Sequence, residues 1–410
     1  MALLRPFRAL RPAAAAAGKV SAVPYDVVST EEARRLAAEN PLSFLHVSRP
    51  EIDLPNDTDP YSSAVYAKAE ENFRALRQQA PMFVEETPSL YIYKLRMGAH
   101  QQTGIAGCCS VAEYDTDIIR KHERTRKDKE DDRTLHILSL RAQTGPVFLT
   151  YRNTADVDEA VAKSEAAEPL YDFSSEDNVH HTVWRLSDPI TNQLVESFKR
   201  VPLLYIADGH HRAASASRAA AELASQDKPN DPTDESNYFL SVLFPSNQVQ
   251  ILPYNRIVKD LNGKSEEQFL KEVAERFTMS PTAPTEPSQK GDIRMYQGGR
   301  WFKLSAKARA GHGASPISSL DVAVLQDLLL EPVLGIKDIR TDKRIDFVGG
   351  VRGTEALESA VNSGKAAVAF LMHPVTIDDL IAVSDAGLIM PPKSTWFEPK
   401  LRDGLLTHLI

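Results

Sequence analysis

An α+β fold with mixed sheets is predicted for this chain, on three observations. Strand-like and helix-like segments alternate along it without the even βαβ rhythm of a doubly wound sheet. Hydrophobic residues fill 42% of the 410 positions, enough for a sizeable core, and no internal repeat is visible. The length corresponds to about two or three domains. The least arbitrary cut lies near residue 260, dividing the chain into 1–258 and 259–410.

The elements follow from local pattern. A turn at Pro24 to Asp26 precedes a helix opened by Ser29, with Glu32 in capping-box spacing. Phe44 to Val47 is expected as a strand, residues 50–61 as loop and Ala64 to Gln79 as a helix. Ser89 to Met97 alternates apolar residues with β-favouring tyrosines, and a further strand follows Gly107. Leu135 to Leu140 and Val147 to Tyr151 read as strands around a turn at Thr144 to Pro146. Val201 to Ala207 has the apolar run of a buried strand, and Ala213 to Leu223 is rich enough in alanine to be helical. Tyr238 to Phe244 and Val249 to Leu252 are strands, and Ser265 with Gln268 caps a helix reaching Phe277. Residues 280–292 have the composition of a surface linker. Beyond them come a hairpin around Gly298 and Gly299, an apolar helix at Ser319 to Leu330, a strand at Ala366 to Met372, and a helix at Thr376 to Asp385 stopped by Gly387.

Composition excludes several classes of function. A formal charge of −8 argues against a nucleic-acid partner, which selects a basic face. No apolar run nears the roughly 18 residues that cross a bilayer, so no membrane partner is expected. The only cysteines are the adjacent Cys108 and Cys109, which offer no disulfide framework and no four-ligand zinc site. Arg5, Pro6, Arg11 and Pro12 interrupt any signal-peptide core. A cytoplasmic location is the expectation, with an organelle-type presequence as the alternative.

Chemistry concentrates at Asp208 to Arg212, where an apolar strand meets a helix start. Unpaired N–H groups in a first helical turn and the positive end of the helix dipole make Gly209, His210, His211 and Arg212 an anion-binding frame. Arg212 adds a planar fork suited to phosphate oxygens. Asp208 is placed to hold a metal ion or orient a histidine. The plain alternative is a corner capped by the Asp, with solvated histidines. A second cluster runs from Lys121 to Arg133; most of its charges read as an ion-paired solvated surface, but His122 and Glu123 follow apolar Ile118 and Ile119 and offer a general base to a cleft. The third is the loop Leu388 to Lys400, where Lys393, Ser394 and Thr395 suit a carboxylate or phosphate. Asp26 and His46 fit a turn and a strand as well as they fit a site. Familiar zinc spacings are absent: His210 and His211 are adjacent, as are His180 and His181, where a helical pair needs i, i+4.

These residues resemble a known family. The strand entering Asp-Gly-His-His-Arg at Asp208 to Arg212 is similar to the G-x-x-R phosphate turn of the ParB/sulfiredoxin superfamily, and to the D-G-H-H-R of its free L-serine kinases. In those kinases a His-Glu pair precedes the motif and its Glu is the catalytic base; His122 and Glu123 hold the matching place. His373 to Thr395 resembles their C-terminal strand, helix start, glycine and P-K-[ST]-T loop. The kinase likeness covers mainly residues 115–258 and 360–396. VPYDV, NPLSFLHV and HERTRKDKEDDR resemble, over nearly the whole chain, a widespread set of bacterial and archaeal proteins described as uncharacterised.

The resemblance implies a ParB/sulfiredoxin-like nucleotide-binding core with an N-terminal extension and a C-terminal α/β domain. It implies phosphoryl transfer from ATP or ADP to the hydroxyl of free L-serine. Glu123 would accept the hydroxyl proton. Gly209, His210 and Arg212 would hold the nucleotide, Asp208 would ligate Mg²⁺, and His211 would stabilise the transferring group. Lys393, Ser394 and Thr395 would grip the amino-acid carboxylate. Two other readings stay open, a nucleotide or phosphoester hydrolase with water as acceptor and a nucleotide-responsive regulator. The oligomeric state is left open.

Overall fold

The computed structural model describes residues 2–226, 231–307 and 315–410. The chain forms two compact units, Met1–Val249 with Pro399–Ile410, and Gln250–Glu398. Both combine helices and sheets, so the α+β expectation holds at that level.

The first unit is built on eight strands: β1 (Tyr91–Met97), β2 (His100–Ser110), β3 (Ile119–Arg120), β4 (Val147–Tyr151), β5 (Tyr171–Ser174), β6 (Val179–Arg185), β7 (Leu204–Asp208) and β8 (Tyr238–Pro245). Their order across the sheet is β3-β7-β4-β8-β2-β1-β6-β5. The sheet is mixed: β7 runs parallel to β3 and antiparallel to β4, and β8 parallel to β4 and antiparallel to β2. Three helices matter below, α1 (Ser63–Gln79), α2 (Lys127–Leu140) and α3 (His210–Gln226). The small side chains of Ala213, Ala216 and Ala220 let α3 lie close on a core containing Ile119, Val147, Leu149, Leu204 and Ile206. Cys108 and Cys109 are buried on β2, and burial pushes both thiols upward, to about 12 for Cys109.

Two strand expectations fail. Leu135 to Leu140 is the end of α2, which buries Asp132, His136, Ile137 and Leu140 on one face. Its helical period starts inside the charged run, and the last six residues alone fit a strand equally well. Phe44 to Val47 is a helical turn, Leu45–Ser48, with Phe44, Leu45 and Val47 packed around Phe73 and Leu76 of α1. Both expected capping boxes form, Ser29 with Glu32 and Ser265 with Gln268.

The second unit carries a six-stranded sheet whose pairings are all antiparallel: β9 (Tyr254–Val258), β10 (Phe277–Pro281), β11 (Ile293–Gln297), β12 (Arg300–Ala306), β13 (Ile345–Gly349) and β14 (Val368–Leu371), in the order β10-β12-β11-β14-β9-β13. This corrects the α/β assignment of the C-terminal region, because an α/β domain needs parallel strands joined by crossover helices. The β11–β12 hairpin turns at Gly298 and Gly299 as expected. The expected apolar helix begins at Asp321 and continues beyond Leu325 as a π-helical stretch, Gln326–Leu330.

Candidate functional site

Strands β3 and β7 are parallel neighbours, with Ile119 opposite Leu204 and Arg120 opposite Tyr205. The chain leaves both at the same sheet end, where ligands of open sheets with parallel strands commonly bind. Beyond β3 come Lys121, His122 and Glu123; beyond β7 come Gly209 and the first turn of α3. Two motifs some 85 residues apart therefore meet, and one nitrogen or oxygen each from His122, Glu123 and His210 lie within 4.8 Å of one another.

Gly209 makes the corner. Its φ of +96° suits glycine, and a Cβ there would come within 3.0 Å of the Arg212 Cζ. The hydrogen bond from Ala213 N–H to the Gly209 carbonyl, 3.0 Å, then starts the helix, so the N–H groups of His210, His211 and Arg212 precede the helical ladder.

The motif side chains divide into three groups. His210 and His122 are buried and meet edge to face, ring centroids 4.5 Å apart at 88°. Burial pushes the His122 imidazole down to about 4 and His210 well below its ordinary range, so both rings are neutral at pH 7. His211, lowered by its burial, accepts the Arg126 backbone N–H at Nε2, 3.0 Å. It thereby ties the segment after Glu123 to α3. The charge-stabilising role expected of it is left to its other ring nitrogen.

Arg212 and Asp208 form the third group. The guanidinium is 8% exposed; one terminal nitrogen donates to the Pro146 carbonyl and the other to Asp208 Oδ2 at 3.0 Å, with Asp26 at 4.0 Å. Lys400 lies 3.8 Å from the same Asp208 oxygen. Burial works to raise the Asp208 carboxyl, but Lys400 and Arg212 outweigh it and the net shift is downward. A carboxylate flanked by two cations does not fit the Mg²⁺ role expected of it.

Behind Arg212 is a cavity of about 40 Å³ lined by Tyr25, Ser48, Arg133, His136, Arg212 and Asp403, among others. Space of this size holds a few waters. Asp403 is 2% exposed, and burial pushes its carboxyl up to about 7 against the opposing pull of Arg212. Gly145 allows this close approach, since a Cβ there would lie 3.0 Å from Asp403 Oδ1 and 3.3 Å from Arg212 Cδ.

Glu123, Asp208, Gly209, His210, His211 and Arg212 thus share the first unit, joined by Asp26. Lys400 and Asp403 were missed. Lys393, Ser394 and Thr395 belong to the second unit. There Lys393 has a positive φ and its Nζ lies 5.5 Å from the Tyr254 ring, its carbonyl accepts from Arg256 (3.1 Å), and the Ser394 hydroxyl donates to the Pro391 carbonyl at 2.5 Å. Most charges of the Lys121 to Arg133 run belong to the ion-paired surface of α2, as in the pairs Lys127 with Asp131 (2.9 Å) and Arg218 with Asp131 (2.5 Å). His46 pairs with Asp53 at 2.9 Å on that helical turn, away from a strand setting.

The chain belongs to a family described as "Protein of unknown function (DUF1015)", whose model matches residues 4–323. No curated protein matches it. Among solved structures it is similar to a free serine kinase in complex with AMP, at 12% identity and a TM-score of 0.36, covering 73% of this chain and 91% of that one. It is similar also to SbnI with a C-terminal truncation from Staphylococcus aureus (13%, TM-score 0.40, 74% and 87% covered). A conserved hypothetical protein from Pyrococcus furiosus matches at 11%, TM-score 0.36, with 74% and 95% covered. No helix among the described residues is long and apolar enough to cross a membrane.

Proposed function

We propose that the first unit is a ParB/sulfiredoxin-like core that transfers a phosphoryl group from ATP or ADP to the hydroxyl of free L-serine. The observation that carries the reading is the convergence of Glu123 on the Gly209–α3 corner. Phosphoryl transfer asks mainly for positioning and charge stabilisation. The N–H groups of the α3 first turn and the Lys400 ammonium supply the latter. Glu123 brings a carboxylate to that corner and takes the hydroxyl proton as the serine oxygen attacks the terminal phosphorus, whose bond to the bridging oxygen breaks so that ADP leaves from ATP, or AMP from ADP. Asp208 holds Arg212 and Lys400 in place, so Arg212 acts as a positioning residue. Kinases ordinarily bring a divalent cation with the nucleotide, and Asp208, paired with Arg212 and Lys400, does not fit it. The proposed chemistry belongs to the first unit, and Lys393, Ser394 and Thr395, in the second, have no role in it.

The test is phosphoserine formation by the full chain with L-serine, Mg²⁺ and either nucleotide, beside a control without serine. Glu123→Ala is expected to cut turnover by about 10²–10⁴-fold while nucleotide affinity stays within about threefold. Lys400→Ala is expected to weaken nucleotide binding by about tenfold, the loss of one charge-assisted contact. Undiminished turnover in Glu123→Ala removes the base assignment. Nucleotide loss without serine transfers the site to a hydrolase.

A further inference from the structure

Phosphoryl transfer uses Glu123 at the corner but gives no role to the two buried imidazoles beside it. His122 and His210 bury two imidazoles against each other, 2% and 6% exposed, at a ring separation of 4.5 Å. The His122 backbone N–H lies 3.5 Å from His210 Nε2. Beside the two rings stands a carboxylate, and one donor atom from each of the three lies within 4.8 Å of the others.

We infer that His122, Glu123 and His210 form an open three-ligand site for a transition-metal dication of the zinc type. Two imidazoles and one carboxylate, with a coordination position left over, are a donor set used by catalytic zinc sites. Imidazole nitrogen selects zinc and its neighbours over Mg²⁺ or Ca²⁺, which take oxygen ligands. The fold prepares the site before any ion arrives. His122 follows β3 and His210 follows β7, two paired parallel strands, and the Gly209 corner fixes where α3 begins. The His122 ring is also hydrogen-bonded to the Ile206 backbone of β7, the kind of outer contact that fixes which nitrogen of a ligating histidine faces the metal. Zinc–nitrogen bonds of about 2.0–2.1 Å hold ligand atoms roughly 3–4 Å apart. Closing from 4.8 Å therefore asks for side-chain movements of about 1 Å, and Glu123, which is not buried, supplies the most adjustable arm. A carboxylate has two oxygens, so ligation by one leaves the other able to accept a proton. The site was hidden in sequence because its two histidines come from different motifs, whereas the adjacent pair His210 and His211 diverges.

Metal binding is measured on the untagged full chain, stripped with chelator and free of nucleotide and serine, so its outcome is independent of the kinase reading. Titration with Zn²⁺ by calorimetry is expected to give one site per chain, and Co²⁺ is expected to give the visible ligand-field bands of a low-coordinate complex. His122→Ala and His210→Ala should weaken Zn²⁺ binding by at least about 100-fold, and Glu123→Gln, a change of similar size at an unburied position, by about tenfold with an altered Co²⁺ spectrum. His180→Ala, elsewhere on the sheet, should leave affinity within about threefold. Circular dichroism establishes which variants remain folded, and Glu123→Gln keeps the test decisive if a histidine variant does not. Absence of a one-to-one Zn²⁺ site, or Zn²⁺ affinity and Co²⁺ spectra unchanged in Glu123→Gln, overturns the inference.

Discussion

Around the buried Arg212 guanidinium stand the carboxylates of Asp26, Asp208 and Asp403, all of which act to raise it. Asp208, its side chain 29% exposed, is held by two cations, whereas Asp403, 2% exposed, shifts upward to about 7 from 3.8. The folded chain keeps this proton after the unfolded chain has lost it, so the stability linked to Asp403 is fullest below about pH 4 and is lost as pH rises through about 7. Asp403→Asn removes that loss. The melting temperature of the variant minus that of the parent should rise between pH 4 and pH 8 by several degrees, on the order of 1–2 kcal/mol or more. A difference that does not change with pH would show that Asp403 titrates in its ordinary range. At this scale the sequence exposes what is contiguous: Asp208 through Arg212 stand in five successive positions, and their chemistry is visible there. Lys400 and Asp403 come from nearly 200 residues away and sit in a run, LRDGLLTHLI with its preceding lysine, that carries no local sign of a site.

The element that aims this chemistry is the β7–Gly209–α3 corner. A Cβ at Gly209 meets a φ of +96° and an Arg212 carbon at 3.0 Å. Relief requires either backbone rotation or displacement of the guanidinium that donates to Asp208. Gly209→Ala is therefore expected to cost roughly 1–3 kcal/mol in urea unfolding and to lower turnover and nucleotide affinity together, because the first turn of α3 is re-aimed. A variant with parental stability and affinity would show that the corner tolerates a side chain. Elements were legible where a specific stereochemical device marks them, as with the Ser29 and Ser265 capping boxes and the Gly298–Gly299 turn. They were illegible where an apolar stretch was short. Leu135 to Leu140 shows a helical face only when joined to Asp132 and the charged turns before it, and a six-residue window contains less than two helical turns.

At the scale of the molecule, the chain leaves the first unit at Val249 and re-enters it at Pro399. The returning segment is woven in. Thr407 pairs with Leu10 and Asp403 with Ala22, and His408–Leu409 pairs with Ala142–Gln143. Leu401, Leu405 and Leu406 are 3%, 1% and 5% exposed. Pairing across 250 or more residues leaves no periodicity to read, which is why a cut near residue 260 assigns this segment to the wrong side of the division. Its energetic weight can be bounded. Burying three leucines contributes about 5–9 kcal/mol at roughly 1.5–3 each, comparable with the entire 5–15 kcal/mol or so that holds a typical domain folded. Ending the chain after Glu398 should therefore abolish cooperative unfolding of the first unit. Trp184 is its one tryptophan, the other two being Trp301 and Trp396. In a Trp301→Phe, Trp396→Phe background, the full chain should show a sigmoidal Trp184 fluorescence transition in urea and the shortened chain an exposed, red-shifted Trp184 without denaturant. Adding a synthetic peptide of residues 399–410 should restore part of the transition in a concentration-dependent way, because a segment that binds only the folded form stabilises it by mass action. A shortened chain that keeps the full transition would show instead that the first unit is self-sufficient up to Val249, and that Lys400 and Asp403 are additions to a core already complete.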